Sequence, residues 1–367
     1  MSTASPPDLR AAAADDLLSL TASLVAVPSV SRNERELADH VERRLAERAP
    51  GLALARVGNT VVARTELGRE RRVVLGGHLD TVPPNGNEEP RLDGDVLHGL
   101  GAADMKGGIA VLLRLAEEMS AGREPRFDVT LAFYEGEEIA DEFNGLRHVF
   151  AERRELLAGD FAVLLEPTGD HVEAGCQGTL HLEARFEGAR AHSARPWMGH
   201  NAIHRASEVL RLLAAHEADT VVVDGLPYRE SLQVVRIEGG VANNVVPDTC
   251  TLVVNRRFAP AYSLDEARTQ VERLLDGADR IEEVNASPAA PPNLGHPLVA
   301  EFVETLDLGV EPKLGWTDVA RFASRGVPAV NFGPGDPDVA HTADERVTRA
   351  SVEHAHAALA RFLGVDG

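Results

Sequence analysis

Apolar residues along the chain fall into two rhythms, one helical and one strand-like. Leu37, Val41 and Leu45 recur at a helical interval behind Ser31 and Glu34, whose spacing resembles a capping box, so an amphipathic helix is expected early. Short apolar runs at Thr60–Ala63, Val73–Leu75, Val129–Phe133, Phe161–Leu165 and Val327–Phe332 read as strands, and Ile109, Leu112, Leu113 and Ala116 mark an intervening helix. Strands alternating with helices predict an α/β layer structure: a largely parallel sheet covered on both faces.

The pattern changes between about Cys176 and Pro288. Thr179–Phe186 reads as a strand, Ala202–Leu213 as a helix, Ser231–Ile237 and Thr249–Arg257 as strands, Leu264–Leu275 as a helix and Ile281–Val284 as a short strand. That β-α-β-β-α-β order predicts a ferredoxin-like α+β insertion. Pro288, Pro291 and Pro292 form the expected return linker, so the main domain is read as 1–175 and 291–367, with the insertion at 176–290. No internal repeat is evident, and the Ala-rich Ala11–Ala14 is the lone compositional bias noted.

A chain of 367 residues is long enough for two domains with sizeable cores. Its formal charge of -21 repels polyphosphates and anionic membrane surfaces, which argues against a nucleic-acid partner. Cys176 and Cys250 are too few for a disulfide framework and have no CxxC spacing, so a reducing cytoplasm is expected. The stretch Met1–Arg10 lacks the basic-then-apolar order of a signal peptide, and no apolar run reaches the roughly 18 residues needed to span a bilayer.

Five stretches carry candidate chemistry. GGHLDTVP at Gly76–Pro83 follows a strand, which places His78 at the carboxyl edge of the sheet, where α/β folds expose functional groups, with Asp80 available to orient it. In GAADMKGG at Gly101–Gly108, flanking glycines allow close approach around Asp104, making its carboxylate a candidate bridge between two cations. Glu137 and Glu138 in EGEE at Glu135–Glu138 end another strand, and adjacent carboxylates need a compensating cation or a shared proton. Glu166 in LEPT repeats the arrangement, and His341 in AHTADE lies beyond the last strand. Each has a plain reading when taken singly: a polar strand end, an Asp-led helix start, an acidic loop, a surface histidine. It is the recurrence of ligand-type side chains at strand ends that points to a site.

The set offers two imidazoles, three carboxylate ligands and one spare carboxylate, donors that suit zinc, with cobalt or manganese possible. Two cations would activate water and polarise a carbonyl, while an unligated glutamate moves the proton. Spacing does not choose between Glu137 and Glu138 for that task.

In order and spacing, these motifs resemble the co-catalytic zinc aminoacylase and carboxypeptidase family over most of the chain. The resemblance implies a zinc-peptidase-like main domain, with the insertion serving as lid and homodimerisation domain. It implies one metal on His78, Asp104 and Glu166, another on Asp104, Glu138 and His341, Glu137 as general acid/base and Asp80 as the orienting carboxylate. Gly188–Ser193 resembles a family motif whose histidine, here His192, stabilises the oxyanion. Asn244 and Arg257 match the family's pocket for a substrate carboxylate. Leu314–Phe322 and Asn331–Gly335 look most like a desuccinylase branch of high-GC bacteria, which implies hydrolysis of N-succinyl-LL-2,6-diaminopimelate. Leu314-Gly315-Trp316 departs from the wider branch pattern, so removal of another acyl group, acetyl for instance, or dipeptide cleavage stays open.

Overall fold

The computed structural model describes residues 16–366; the stretches Met1–Arg10 and Ala11–Ala14 lie outside them. The described chain divides into two compact units. One comprises the residues up to Ala174, Asn293–Glu311 and the chain from Arg321 onward; the other comprises Gly175–Pro292 and Pro312–Ala320.

The first unit is built on an 8-stranded sheet. Its centre is four parallel strands in the order Asp128–Tyr134, Arg72–His78, Phe161–Leu164 and Ala329–Asn331. These segments are rich in β-branched and aromatic residues that fit a pleated surface, and Val73, Val74, Val129, Phe133, Phe161 and Val330 have no exposed area. Antiparallel strands flank the centre, with Thr60–Arg64 on one side and Val172–Ala174 on the other. The helix Gly107–Ser120 carries a face of Ile109, Leu112, Leu113 and Ala116, all fully buried, and Arg349–Leu363 buries Leu359, Phe362 and Leu363. The expected α/β architecture is the one the chain adopts.

Parallel strands all end at the same edge of their sheet, so His78, the residues after Tyr134 and those after Leu164 emerge together. Backbone pairing sets this alignment: His78 stands opposite Tyr134, and Gly76 opposite Leu164.

The early helix begins at Arg35, with Glu34 at its cap position and no side-chain capping bond. The expected capping box does not form. Glu34 turns back to accept the Arg32 N–H at 2.8 Å, and the Ser31 hydroxyl donates to the Asp80 carboxylate at 2.8 Å. The helix starts three residues later than that spacing requires, which puts Glu34 and not Ser31 at the cap.

The second unit has the strands Gly178–Glu187, Ser231–Gly239, Thr249–Phe258 and Arg280–Ser287 in one antiparallel sheet, with Gly178–Glu187 and Thr249–Phe258 at its centre. With the helices Ala202–Ala214 and Leu264–Leu274 this is the ferredoxin-like order. Its core joins Leu180, Leu182, Phe186, Val209, Leu252 and Val271. An additional hairpin, Thr220–Val223 with Leu226–Arg229, turns at Asp224-Gly225, both with positive φ.

Candidate metal centre

The strand Arg72–His78 ends on a fully buried imidazole. Its Nε2 lies 2.9 Å from Asp104 Oδ1, and its Nδ1 lies 3.0 Å from the Asp80 carbonyl oxygen. The Asp80 carboxylate stands further from that ring, at 3.6 Å. Its oxygens are engaged elsewhere, accepting the N–H groups of Glu137 and Glu138, each at 3.0 Å, and the Ser31 hydroxyl. The side chain expected to orient His78 therefore bonds to the backbone of the paired glutamates.

Asp104 sits in a tight loop before the helix Gly107–Ser120, and its bond to Met105 is a cis peptide. Two glycines make the placement possible. Gly101 has φ 77°, a left-handed conformation. A Cβ on Gly108 would meet the Leu165 carbonyl oxygen at 2.7 Å, so only glycine lets the helix start press against the end of the neighbouring strand. Asp104 Oδ2 reaches His341 Nε2 at 3.2 Å, and Glu138 Oε1 reaches the same nitrogen at 2.8 Å. His341 itself holds φ 62° and has a half-exposed side chain.

Ligand-type atoms of His78, Asp104 and Glu166 lie within 4.8 Å of one another, as do those of Asp104, Glu138 and His341. Asp104 is common to both groups. A third group within 4.8 Å joins His78, Glu137 and Glu138, so Glu138 belongs to two of the groups and Glu137 to one. The donor set fits a pair of divalent cations: imidazole nitrogens and carboxylate oxygens in excess of any basic side chain, sharing one bridging carboxylate. The electrostatics agree. Burial disfavours a charged His78, yet the bond to Asp104 and the charges of Asp104, Glu166 and Asp80 hold its pKa well above the ordinary value. Bonds to Asp104 and Glu138 raise that of His341 to about 10. A field that draws protons this strongly onto imidazoles draws metal cations as well.

Two supporting residues were not read as functional from sequence. The Glu345 carboxylate is buried and accepts backbone N–H groups of the loop that carries Asp104. Lys106, also buried, donates from Nζ to the Val27 carbonyl at 2.9 Å, and burial lowers its pKa to about 7 against the opposing charge of Glu345.

His192, Asn244 and Arg257 belong to the second unit. There the His192 and Asn244 loops are bonded to each other, through a bridge between His192 and Val245 and a 2.9 Å bond from the Ser193 N–H to the Asn244 carbonyl. His192 Nδ1 accepts the Ala194 N–H at 3.0 Å, which leaves Nε2 as the protonated nitrogen of a neutral ring. Arg257 lies on the strand Thr249–Phe258, half-buried, its pKa lowered by burial.

A parallel-sheet edge bearing this cluster defines a metallohydrolase. The chain belongs to the peptidase family M20/M25/M40, whose pattern matches residues 74–364. It is 49% identical over 350 residues to a provisionally named succinyl-diaminopimelate desuccinylase of Mycobacterium tuberculosis (strain ATCC 25618 / H37Rv), covering 95% of this chain and 98% of that protein. It is 43% identical over 354 residues to the succinyl-diaminopimelate desuccinylase of Corynebacterium glutamicum, covering 95% and 96% respectively. Aminopeptidase PepT from Bacillus cereus shares the fold, with a TM-score of 0.79 at 18% identity over 96% of this chain and 98% of PepT.

Proposed function

We propose that the protein hydrolyses N-succinyl-LL-2,6-diaminopimelate to succinate and LL-2,6-diaminopimelate, a step toward lysine and cell-wall precursors. The observation that carries the hydrolytic reading is the pair of ligand clusters sharing Asp104. The choice of substrate is supported by relatives at 43–49% identity along nearly the whole chain.

In this reading His78, Asp104 and Glu166 hold one zinc ion, and Asp104, Glu138 and His341 a second. When bound, the ions supply Lewis acidity toward the scissile carbonyl and make water a stronger acid. Glu137 takes a proton from the attacking water and passes it to the departing amine nitrogen. Asp80 fixes the backbone from which Glu137 projects, through the two 3.0 Å bonds it accepts. His192, as an Nε2–H donor, stabilises the developing oxyanion, and Asn244 and Arg257 receive a substrate carboxylate. The second unit serves as lid and homodimer contact, and the enzyme works in the cytoplasm. No helix among the described residues is long and apolar enough to cross a membrane.

Leu314-Gly315-Trp316 favours a second reading, in which the same machinery removes another acyl group. A substrate panel separates them: N-succinyl-LL-diaminopimelate, N-acetylornithine and dipeptides, each with and without chelator and with Glu137→Ala. Chelator-sensitive turnover of the succinyl compound alone is expected. Preference for another substrate would keep the mechanism and move the specificity, and no turnover of the succinyl compound by zinc-loaded protein would overturn the desuccinylase reading.

A further inference from the structure

Glu345 lies four residues after His341, yet its carboxylate is spent on a different part of the chain. Oε2 accepts the Gly101 N–H at 3.0 Å, while Oε1 accepts those of Ala103 at 3.1 Å and Asp104 at 3.0 Å. Its own carbonyl accepts the Gly99 N–H at 3.1 Å. The side chain is 1% exposed, and the buried Lys106 feels its charge. A carboxylate hidden to this degree is stable only if its acceptor sites are filled, and here backbone donors fill them.

The loop so held is the one that aims Asp104, with Oδ1 toward His78 and Oδ2 toward His341. Because Glu345 also anchors the segment bearing His341, one side chain fixes the relative position of two donors more than 200 residues apart in sequence. We infer that Glu345 is a positioning residue for both metal positions, setting zinc affinity through the Asp104 loop without touching the ion. The inference rests on the metal-dependent reading above. A carboxylate is required: a glutamine can offer its oxygen to one side, but its NH2 then meets a backbone N–H head on.

The test compares the full-length protein with Glu345→Gln and Glu345→Asp. The readouts are zinc affinity by competition against a chromophoric chelator, and the visible spectrum of the cobalt-substituted proteins. Glu118→Gln, which removes another buried carboxylate, near the far end of the helix Gly107–Ser120 and paired with Arg114, controls for general loss of stability. Both Glu345 variants are expected to bind zinc about 10- to 100-fold more weakly, as outer partners of metal ligands do, with an altered cobalt spectrum. Glu118→Gln should lower only the melting temperature. If Glu345→Gln does not fold, the shorter carboxylate of Glu345→Asp decides on the same readouts. Wild-type zinc affinity and cobalt spectrum in a folded Glu345 variant would overturn the inference alone. A wild-type protein that binds no zinc would overturn the metal-dependent reading with it.

Discussion

The Asp80 carboxylate accepts the N–H groups of both Glu137 and Glu138 at 3.0 Å, so one anion holds the backbone of the proposed base and of its neighbouring ligand. The Asp80 carboxylate thereby holds the proposed base more directly than it holds the His78 imidazole, from which it lies 3.6 Å.

Asp80→Ala should consequently reduce kcat by about 10- to 100-fold while KM changes little, since what is lost is the aim of a reacting group. Steady-state kinetics of the zinc-loaded variant, with circular dichroism as a folding check, measure this. An effect confined to KM would contradict it.

Glu137→Gln should lower kcat by about 10²- to 10⁴-fold and leave zinc stoichiometry unchanged. Glu138→Gln should lower zinc content first. Metal analysis beside kinetics tests that split: both glutamates lie within 4.8 Å of His78 donors, but Glu138 alone of the two also groups with Asp104 and His341.

The two clusters differ in access: the His341 side chain is 51% exposed and that of His78 1%. Limiting chelator should strip the His341 position first and leave about one zinc per chain, the state His341→Ala should also adopt. Simultaneous loss of both ions at every chelator concentration would refute this ordering.

Away from the site, Asp128 accepts the N–H groups of Leu67 and Arg69 and the Thr65 hydroxyl. Burial opposes its ionisation, but these bonds prevail and lower its pKa below 3.8. A depressed folded-state pKa means the stabilisation is complete above the unfolded value and disappears as pH falls through the folded one. Asp128→Asn should cost about 1–3 kcal/mol at neutral pH, and its denaturation midpoint should converge on that of the wild type below about pH 4.

Much of this architecture was legible because the central strands are buried on both faces and must therefore be nearly continuous in apolar residues, as Val73–Leu75 and Val129–Phe133 are. The gathering of His78, Glu166 and the Glu137–Glu138 pair was legible for the same reason, since each follows such a run. What sequence could not supply were bonds between distant segments. Ser31 has the local spacing of a helix cap, and only the fold brings Asp80, 49 residues away, within its reach. Glu345 was visible in its motif without a role, since its partners lie more than 240 residues earlier. The Asp224-Gly225 hairpin was a missed local signal: an Asp-Gly pair between β-branched and aromatic residues is a strong turn marker.

The strand Arg346–Thr348 pairs with Val96–His98 and carries the His341–Glu345 segment back to the Asp104 loop. The candidate cluster is therefore complete only once a segment more than 200 residues after Asp104 has joined the fold beside the strand Val96–His98.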